Sequence, residues 1–515
     1  MSTYERSIVS IIDPTIKVDE IFVEDQESQK AKEDQSGAVP KGVNTKNSSR
    51  YGAYIPVIQI NSTKFDTNEI LSMSLDLKRN LPQLIFSITD EEGKLDISPP
   101  LDGDVVSVYL RPPDTTNQKP IRIDFDISRI LSNPDTKTYS VFGVMKIPGI
   151  FREINKSFPN DTSFQHLQTV CEDLGLGFAS NETLTDDSMT RICPYDTYEN
   201  FIGETVLTSY KDDDSFFDWY VDPYYYLCMV NVNKQFTLED KTEEINISNA
   251  VPTSGMVGMD NAEESIKGSL VLTNQAEKAG QNIFIESYSI ENKSGRIWMD
   301  NGYKRYANWY NIAKDSSTNE NVFVDPLTTP GAETDFILLK GRRDENFYET
   351  QVKYKWLGKQ APLSEEGNVH DNFQFCKILN KQNLEELDKT TLVVTLAGMN
   401  FYIYKYMRIP IIIYETNPKK RLELANRNEA LGEDLKNSEQ SKNEGFNKAS
   451  SERPDNPSSE DNISNDPRNQ VKNEFLSGYY VVKDIEYTYT SPGPVKQVIT
   501  LIRREWPIPA KNKDQ

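Results

Sequence analysis

The chain has 515 residues, with Lys+Arg 57 against Asp+Glu 79 and a formal net charge of −22 at pH 7. A chain of this length outgrows one hydrophobic core and predicts roughly two to four domains. The acidic balance, with no Lys/Arg stripe interleaved with aromatics, excludes a tight grip on nucleic acid or on an anionic membrane.

Residues 1–50 open with extended runs at Ser7–Ile12 and Ile16–Val23, then become a polar flexible arm without apolar periodicity. From Tyr54 the pattern is β. Ile55–Asn61 and Ile70–Leu77 alternate, Leu84–Thr89 follows, and Leu101–Asp104 is a turn opening the strand Val105–Arg111. Ile121–Ile130 and Thr138–Val144 complete a first set of strands, assigned to a domain over 51–155. Thr162–Asn181 then predicts a capped amphipathic helix. Thr162 and Gln165 form a capping box, Phe164, Leu167, Cys171 and Leu174 share a face with Val170 beside them, and Gly175 supplies a left-handed C-cap.

Tyr198–Tyr210 reads as a second helix with Phe201, Val206 and Tyr210 inward, and Tyr225–Val232 as a buried strand, in an α+β linking domain over 156–245. A mixed region over 246–335 has a strand pair, Gln281–Ile290 with Gly295–Asp300, and a polar loop, Asn311–Asn321. Strands follow at Phe336–Lys340, Thr350–Trp356, Thr391–Ala397 and Met407–Tyr414, with a helix over Asn372–Leu387. A second polar segment, 419–473, interrupts a domain over 336–506, and a swollen hairpin loop of this kind costs little closure entropy. Tyr479–Lys483, Ile485–Tyr489 and Val495–Arg503 close the chain before a short tail at 507–515. The expected fold class is α+β, mainly β.

The sequence argues against several chemistries. His166 and His370 are the only histidines, which leaves no His-dependent triad or His-rich metal site, and His166 reads as a packing or surface residue. Asp212, Asp213, Asp214, Asp218 and Asp222 read as a solvated acidic turn, because the glycine and closing Glu of a calcium loop are missing. No Gly-rich phosphate loop occurs. Paired carboxylates for glycoside cleavage stay open, since such residues come from distant segments. Cys171, Cys193, Cys228 and Cys376 lack metal-ligand spacing and read as buried thiols of a reducing compartment. No apolar run is long enough to span a bilayer, and no secretion pattern precedes Asp13-Pro14, so a soluble chain made in a cytoplasm is expected. No cofactor, metal or catalytic residue is assigned.

Taken in order, Gly103-Asp104-Val105-Val106-Ser107-Val108, the strand around Phe125, Val141-Phe142-Gly143 and the helix with Leu167, Leu174 and Gly175 resemble the central baseplate hub protein of contractile-tailed phages. That superfamily includes the late control D proteins and the N-terminal part of VgrG. Gly478, Tyr480 and Val482, followed by a strand ending at Arg503, resemble the closing hairpin of its second barrel. The resemblance covers most of the chain, through weak strings in the right order. It implies two tube-like antiparallel β-barrels per chain and a homotrimeric, non-enzymatic ring that adapts a sixfold tail tube to a threefold central spike. The implied partners are the chain itself, the spike protein, a tail tube protein or tube initiator and baseplate wedge proteins, with DNA passing through the channel without specific binding and no membrane contact. The implied place is the virion tail baseplate, assembled in the host cytoplasm. Two alternatives stand beside it: the hub of a type VI or extracellular contractile injection system, and a tail-associated cell-wall hydrolase. With no spike repeat before Gln515, a separate spike chain is expected.

Overall fold

The computed structural model describes residues 4–16, 18, 21, 55–112 (apart from 62, 98 and 102), 118–237 (apart from 134), 270–272, 284–293, 305–307, 322–324, 370–416, 470–472, 476 and 478–503. The arm over 24–50, the expected strands at Gly295–Asp300, Phe336–Lys340 and Thr350–Trp356, the loop Asn311–Asn321 and all but the end of the 419–473 segment lie outside these residues. The chain divides into one unit formed by Met1–Glu243, Ile283–Arg408 and Tyr480–Gln515, and a second formed by Glu244–Asn282 and Ile409–Tyr479.

The first unit begins with β1 (Glu5–Ile8). Val18 and Ile21, expected in a strand, are helical and pack on Val57 and Tyr109. Next come β2 (Val57–Ile60), β3 (Thr63–Phe65), β4 (Ile70–Asp76), β5 (Gln83–Thr89), the single turn α1 (Lys94–Ile97), β6 (Val105–Leu110), β7 (Ile121–Asn133) and β8 (Thr138–Met145). The α+β segment contains β9 (Glu153–Asp161), α2 (Ser163–Leu174), β10 (Gly177–Ser180), β11 (Met189–Thr197), α3 (Tyr198–Leu207), β12 (Phe217–Val221), β13 (Tyr226–Asn231) and α4 (Val232–Thr237). Later elements are β14 (Leu270–Leu272), β15 (Phe284–Asn292), β16 (Arg305–Ala307), β17 (Val322–Val324), α5 (Phe373–Glu386), β18 (Thr390–Ala397), β19 (Arg408–Thr416), β20 (Gln470–Lys472), β21 (Gly478–Thr490) and β22 (Lys496–Arg503). Strands dominate and the large sheet is antiparallel, so the mainly β class holds.

Within the second unit, β19 pairs with β14 in parallel and with β20 antiparallel. β20 is a strand inside the part of the 419–473 segment expected to be a long loop excursion. Gln470–Lys472 lacks apolar alternation of its own and is ordered by the ladder of Tyr414–Thr416 opposite.

In the first unit one ladder runs β15-β18-β22-β21-β4-β5-β8-β7-β6-β2-β3. The strand sets of the two expected barrel regions thus lie edge to edge, joined where β21 meets β4. Alternation explains the strands at its middle. On β5, Leu84, Phe86 and Ile88 are buried while Ile85 faces out, and on β22 Ile499 and Leu501 are buried while Val498 and Thr500 are half-exposed. The two strands expected over 479–489 are one strand, β21, whose register shifts between Val482 and Asp484. That bulge breaks the period-2 pattern and looks like a strand boundary in the sequence. β15 pairs with β18, and the expected partner stretch 295–300 lies outside the described residues.

The α+β segment has a sheet ordered β1-β10-β13-β12 and a two-stranded sheet β11-β9. α2 packs as its sequence dictates: Thr162 and Gln165 complete the capping box, and Gly175 ends the helix at φ 71°. Phe164, Leu167, Val170, Cys171 and Leu174 are all buried. On α3, Phe201 and Val206 are buried, whereas Tyr210 lies past the helix end, half-exposed.

Asp222 departs from the solvated-turn reading. It is buried, and its carboxylate accepts the backbone amides of Tyr224 and Tyr226, each at 2.9 Å. Desolvation outweighs those two bonds and pushes its pKa up to about 6. A carboxyl raised above its unfolded value favours the fold while protonated and loses that contribution as pH rises through the folded pKa. Asp222→Asn keeps the accepting oxygen and removes the titration. The variant should therefore gain on the natural chain by about 2–3 kcal/mol between pH 4 and pH 7. Denaturant unfolding of both chains at the two pH values measures this, and an unchanged difference would refute it.

Candidate assembly surface

The central ladder has one buried and one open face. Residues opposite one another across antiparallel strands share a face. One row can be followed through eight strands: Asp126, Val144, Gln83, Asp76, Glu486, Val498, Thr395 and Ser287. Every member is half-exposed or exposed. The row behind it, Ile130, Val141, Phe86, Met73 and Tyr489, belongs to the other side, where Val141, Phe86, Met73 and Tyr489 are buried. The open face is rich in Ser and Thr, as at Ser72, Ser74, Ser87, Ser140, Thr488 and Thr500. Its carboxylates outnumber its cations: Asp76, Asp124, Asp126, Glu291, Asp484 and Glu486, against Lys64, Arg122, Arg129 and Lys496. Arg129 lies over the Phe142 ring at 5.4 Å, and Glu486 is held by Ser74 at 2.7 Å and Lys78 at 2.6 Å.

The same ladder contains a repeat. Strands β4, β5, β7 and β8 stand in the spatial order β4-β5-β8-β7, and β15, β18, β21 and β22 stand as β15-β18-β22-β21, so order in space follows order in the chain identically in both sets. The irregularities match as well. The shift between Ile127 and Arg129 of β7 has its counterpart between Val482 and Asp484 of β21, with Arg129 opposite Phe142 and Asp484 opposite Thr500. The shift between Ile70 and Ser72 of β4 recurs between Ile285 and Ser287 of β15. Bulges are fixed by local sequence and pairing, so two shared at equivalent registers mark one plan used twice.

The repeat also has free ends. β6 pairs with β7 over Ile121–Asp126, and from Ile127 to Asn133 that edge of β7 meets no other strand among the described residues. The equivalent edge of β21, Glu486–Thr490, is occupied by β4. β15, the equivalent of β4, ends the ladder among the described residues. The described residues thus contain one filled junction, β21 with β4, and the two halves of a second, β7 and β15. Unpaired edges are templates for another strand.

The residues that carried the resemblance sit as follows. Gly103 has φ 88° in the turn before β6, where Asp104 accepts the Leu101 amide at 2.6 Å, a bond that lowers its pKa. Val106, Val108 and Phe125 are buried in β6 and β7. A Cβ on Gly143 would stand 2.9 Å from that of Phe125, so the ladder needs glycine there. Leu167, Leu174 and Gly175 belong to α2 and its cap, distant in sequence from Gly478, Tyr480 and Val482 on β21, where the Arg503 guanidinium of β22 lies 5.5 Å from the Tyr480 ring centre. They are spread over several elements, buried in β6, β7, α2 and β21 and exposed at Gly103, rather than gathered around one site among the described residues.

Sequence reasoning missed a buried polar centre behind α2. Arg191 of β11 donates to Thr208 Oγ1 at 2.5 Å and Ser163 Oγ at 2.8 Å, and lies 3.9 Å from the Asp187 carboxylate. Asp187 also accepts Ser163 N at 2.9 Å, Ser163 Oγ and Tyr210 N at 3.1 Å. His370 Nε2 contacts the Thr208 carbonyl at 3.0 Å, with Cys376 Sγ 3.9 Å away, and burial raises that thiol far above its ordinary value. Serine, histidine and cysteine are therefore neighbours without catalytic geometry. Ser163 serves Asp187 and Arg191, while His370 serves a backbone carbonyl. His166 is likewise buried, with Nε2 on the Pro159 carbonyl at 2.7 Å and its pKa lowered by desolvation.

No family model and no curated protein matches the chain. Among solved structures it is similar to the 43 kDa tail protein of prophage MuSo2 from Shewanella oneidensis, at 10% identity over 88% of this chain and 99% of that one, with a TM-score of 0.45. It is similar to the tail protein from Neisseria meningitidis MC58, at 9% identity over 88% and 97%, with a TM-score of 0.44. It is also similar to an E. coli component of the type VI secretion system, at 8% identity over 88% and 79%, with a TM-score of 0.35.

Proposed function

We propose that this chain is a structural, non-enzymatic hub of a contractile phage tail baseplate, acting as a homotrimer that adapts a sixfold tube to a threefold spike. The observation carrying this reading is the repeat of four strands with matched bulges, joined in one ladder. Two like sets per chain let three chains present six, which is how a threefold ring meets a sixfold one. The free edges name the seam. Transferring the β21–β4 register to the equivalent strands sets Leu131 opposite Glu291, Ser132 opposite Ile290 and Asn133 opposite Ser289 of the next copy.

In such a ring the open face lines the channel. Its excess of carboxylates supports DNA passing through without being held, because like charge denies phosphates a binding site. The buried faces stay within each subunit. The outer α+β segment, with its own sheet and helices, is free to meet the spike, a tube protein or initiator, and wedge proteins, in a virion assembled in the host cytoplasm. The purified chain should have a solution mass three times 58.9 kDa, alone or on mixing with the spike protein. A monomer under both conditions would refute the proposal.

A further inference from the structure

We propose that a cleft beside α3 is a binding site for a partner polypeptide, taking one basic side chain and the peptide carbonyl next to it. The reading is independent of the hub assignment. The cleft has a volume of about 520 Å³, and its lining includes Asp196, Glu199, Gly203, Glu204, Asp218 and Trp219. Four of its twelve lining residues are carboxylates, and none is a cation.

Three of them are already engaged. Asp196 accepts Thr197 N at 2.8 Å and Asn200 Nδ2 at 2.7 Å, Glu204 pairs with Lys377 at 2.7 Å, and Asp218 accepts the Tyr406 hydroxyl with Lys405 at 3.9 Å. Glu199, half-exposed in the first turn of α3, has no side-chain partner among the described residues. It is the open acceptor for a cation, in a field its neighbours keep negative.

The second observation is Trp219. The residue is 3% exposed, lines the cleft, and its indole N–H has no hydrogen-bond partner among the described residues. That nitrogen is also the atom nearest to where a Cβ on Gly203 would stand, at 3.8 Å. A buried tryptophan N–H ordinarily finds an acceptor. Here it opens onto the cleft, where a ligand's acceptor would take the place of water. Polyamines and simple cations carry donors or charge only and would leave it to water, whereas a peptide offers a carbonyl beside its basic side chain.

Gly203 is the third. It stands inside α3, where glycine is the poorest helix former after proline, and a methyl group there would make only ordinary contact with the indole. Neither backbone strain nor crowding requires it. Its effect is to leave the floor of the cleft open.

The probe is the capped peptide acetyl-Gly-Arg-Gly-amide, titrated into the full chain while the Trp219 indole N–H resonance is followed, its assignment fixed by Trp219→Phe. The expected result is a saturable shift that weakens roughly tenfold in Glu199→Gln, as loss of a charge-assisted bond does. It should disappear in Gly203→Leu, which fills the cleft while the thermal midpoint is retained. The absence of a saturable shift would overturn the proposal, as would an equal response to the citrulline peptide or to spermine. An indole already at the bound position without peptide, and released in Glu199→Gln, would assign the basic segment to a neighbouring copy and overturn a separate partner.

Discussion

Replacing Arg191 with methionine should destabilise the chain by about 3–5 kcal/mol, the usual cost of removing one member of a buried ion pair. Arg191 is 5% exposed and Asp187 fully buried, so neither charge can recover water when its partner goes. The methionine fills much of the volume, and the loss is therefore electrostatic. Asp187 keeps the Ser163 and Tyr210 amides and the Ser163 hydroxyl but loses its cation, while Thr208 Oγ1 loses a donor. Because Ser163 begins α2 and Thr208 ends α3, the damage falls on the junction of both helices. Adding Asp187→Asn should restore part of the stability, since a neutral amide no longer needs a counter-charge. Denaturant unfolding of the two single variants and the double measures the coupling. A loss under about 1 kcal/mol in Arg191→Met would contradict the account.

Local grammar was legible before any coordinates. The capping box at Thr162, the left-handed cap at Gly175 and the alternation of Leu84–Thr89 each depend on near neighbours, and each holds. What escaped is non-local. Arg191 and Asp187 look like surface residues until strand and helices close around them. The bulge at Val482–Asp484 made one strand look like two. Gln470–Lys472 is a strand because of its partner, not its composition.

The duplication left a trace that a self-comparison would have caught. Ile70-Leu71-Ser72-Met73-Ser74-Leu75-Asp76 and Ile285-Glu286-Ser287-Tyr288-Ser289-Ile290-Glu291 share Ile, Ser and Ser in register, with Leu/Ile and Asp/Glu exchanges at the end. Seven residues in a β-rich chain are a weak signal alone. They acquire meaning once the register shifts between Ile70 and Ser72 and between Ile285 and Ser287 coincide. The Trp219 cleft was not legible either, because Gly203 and Glu199 on a helix acquire a role only when β12 brings an indole beside them.

The β7–β15 seam is the claim on which the proposed ring depends. Asn133 and Ser289 are exposed in the single chain, and the four natural cysteines are buried and free. The equivalent pair already present within the chain, Thr488 opposite Ser74, sits at a strand separation that a disulfide can bridge. The central measurement is therefore oxidation of the double variant Asn133→Cys/Ser289→Cys, followed by non-reducing electrophoresis in denaturant. The account predicts a covalent trimer, with each single variant remaining a single chain. A double variant that stays single under conditions where the assembly is trimeric would contradict the seam, and with it the ring of six like strand sets.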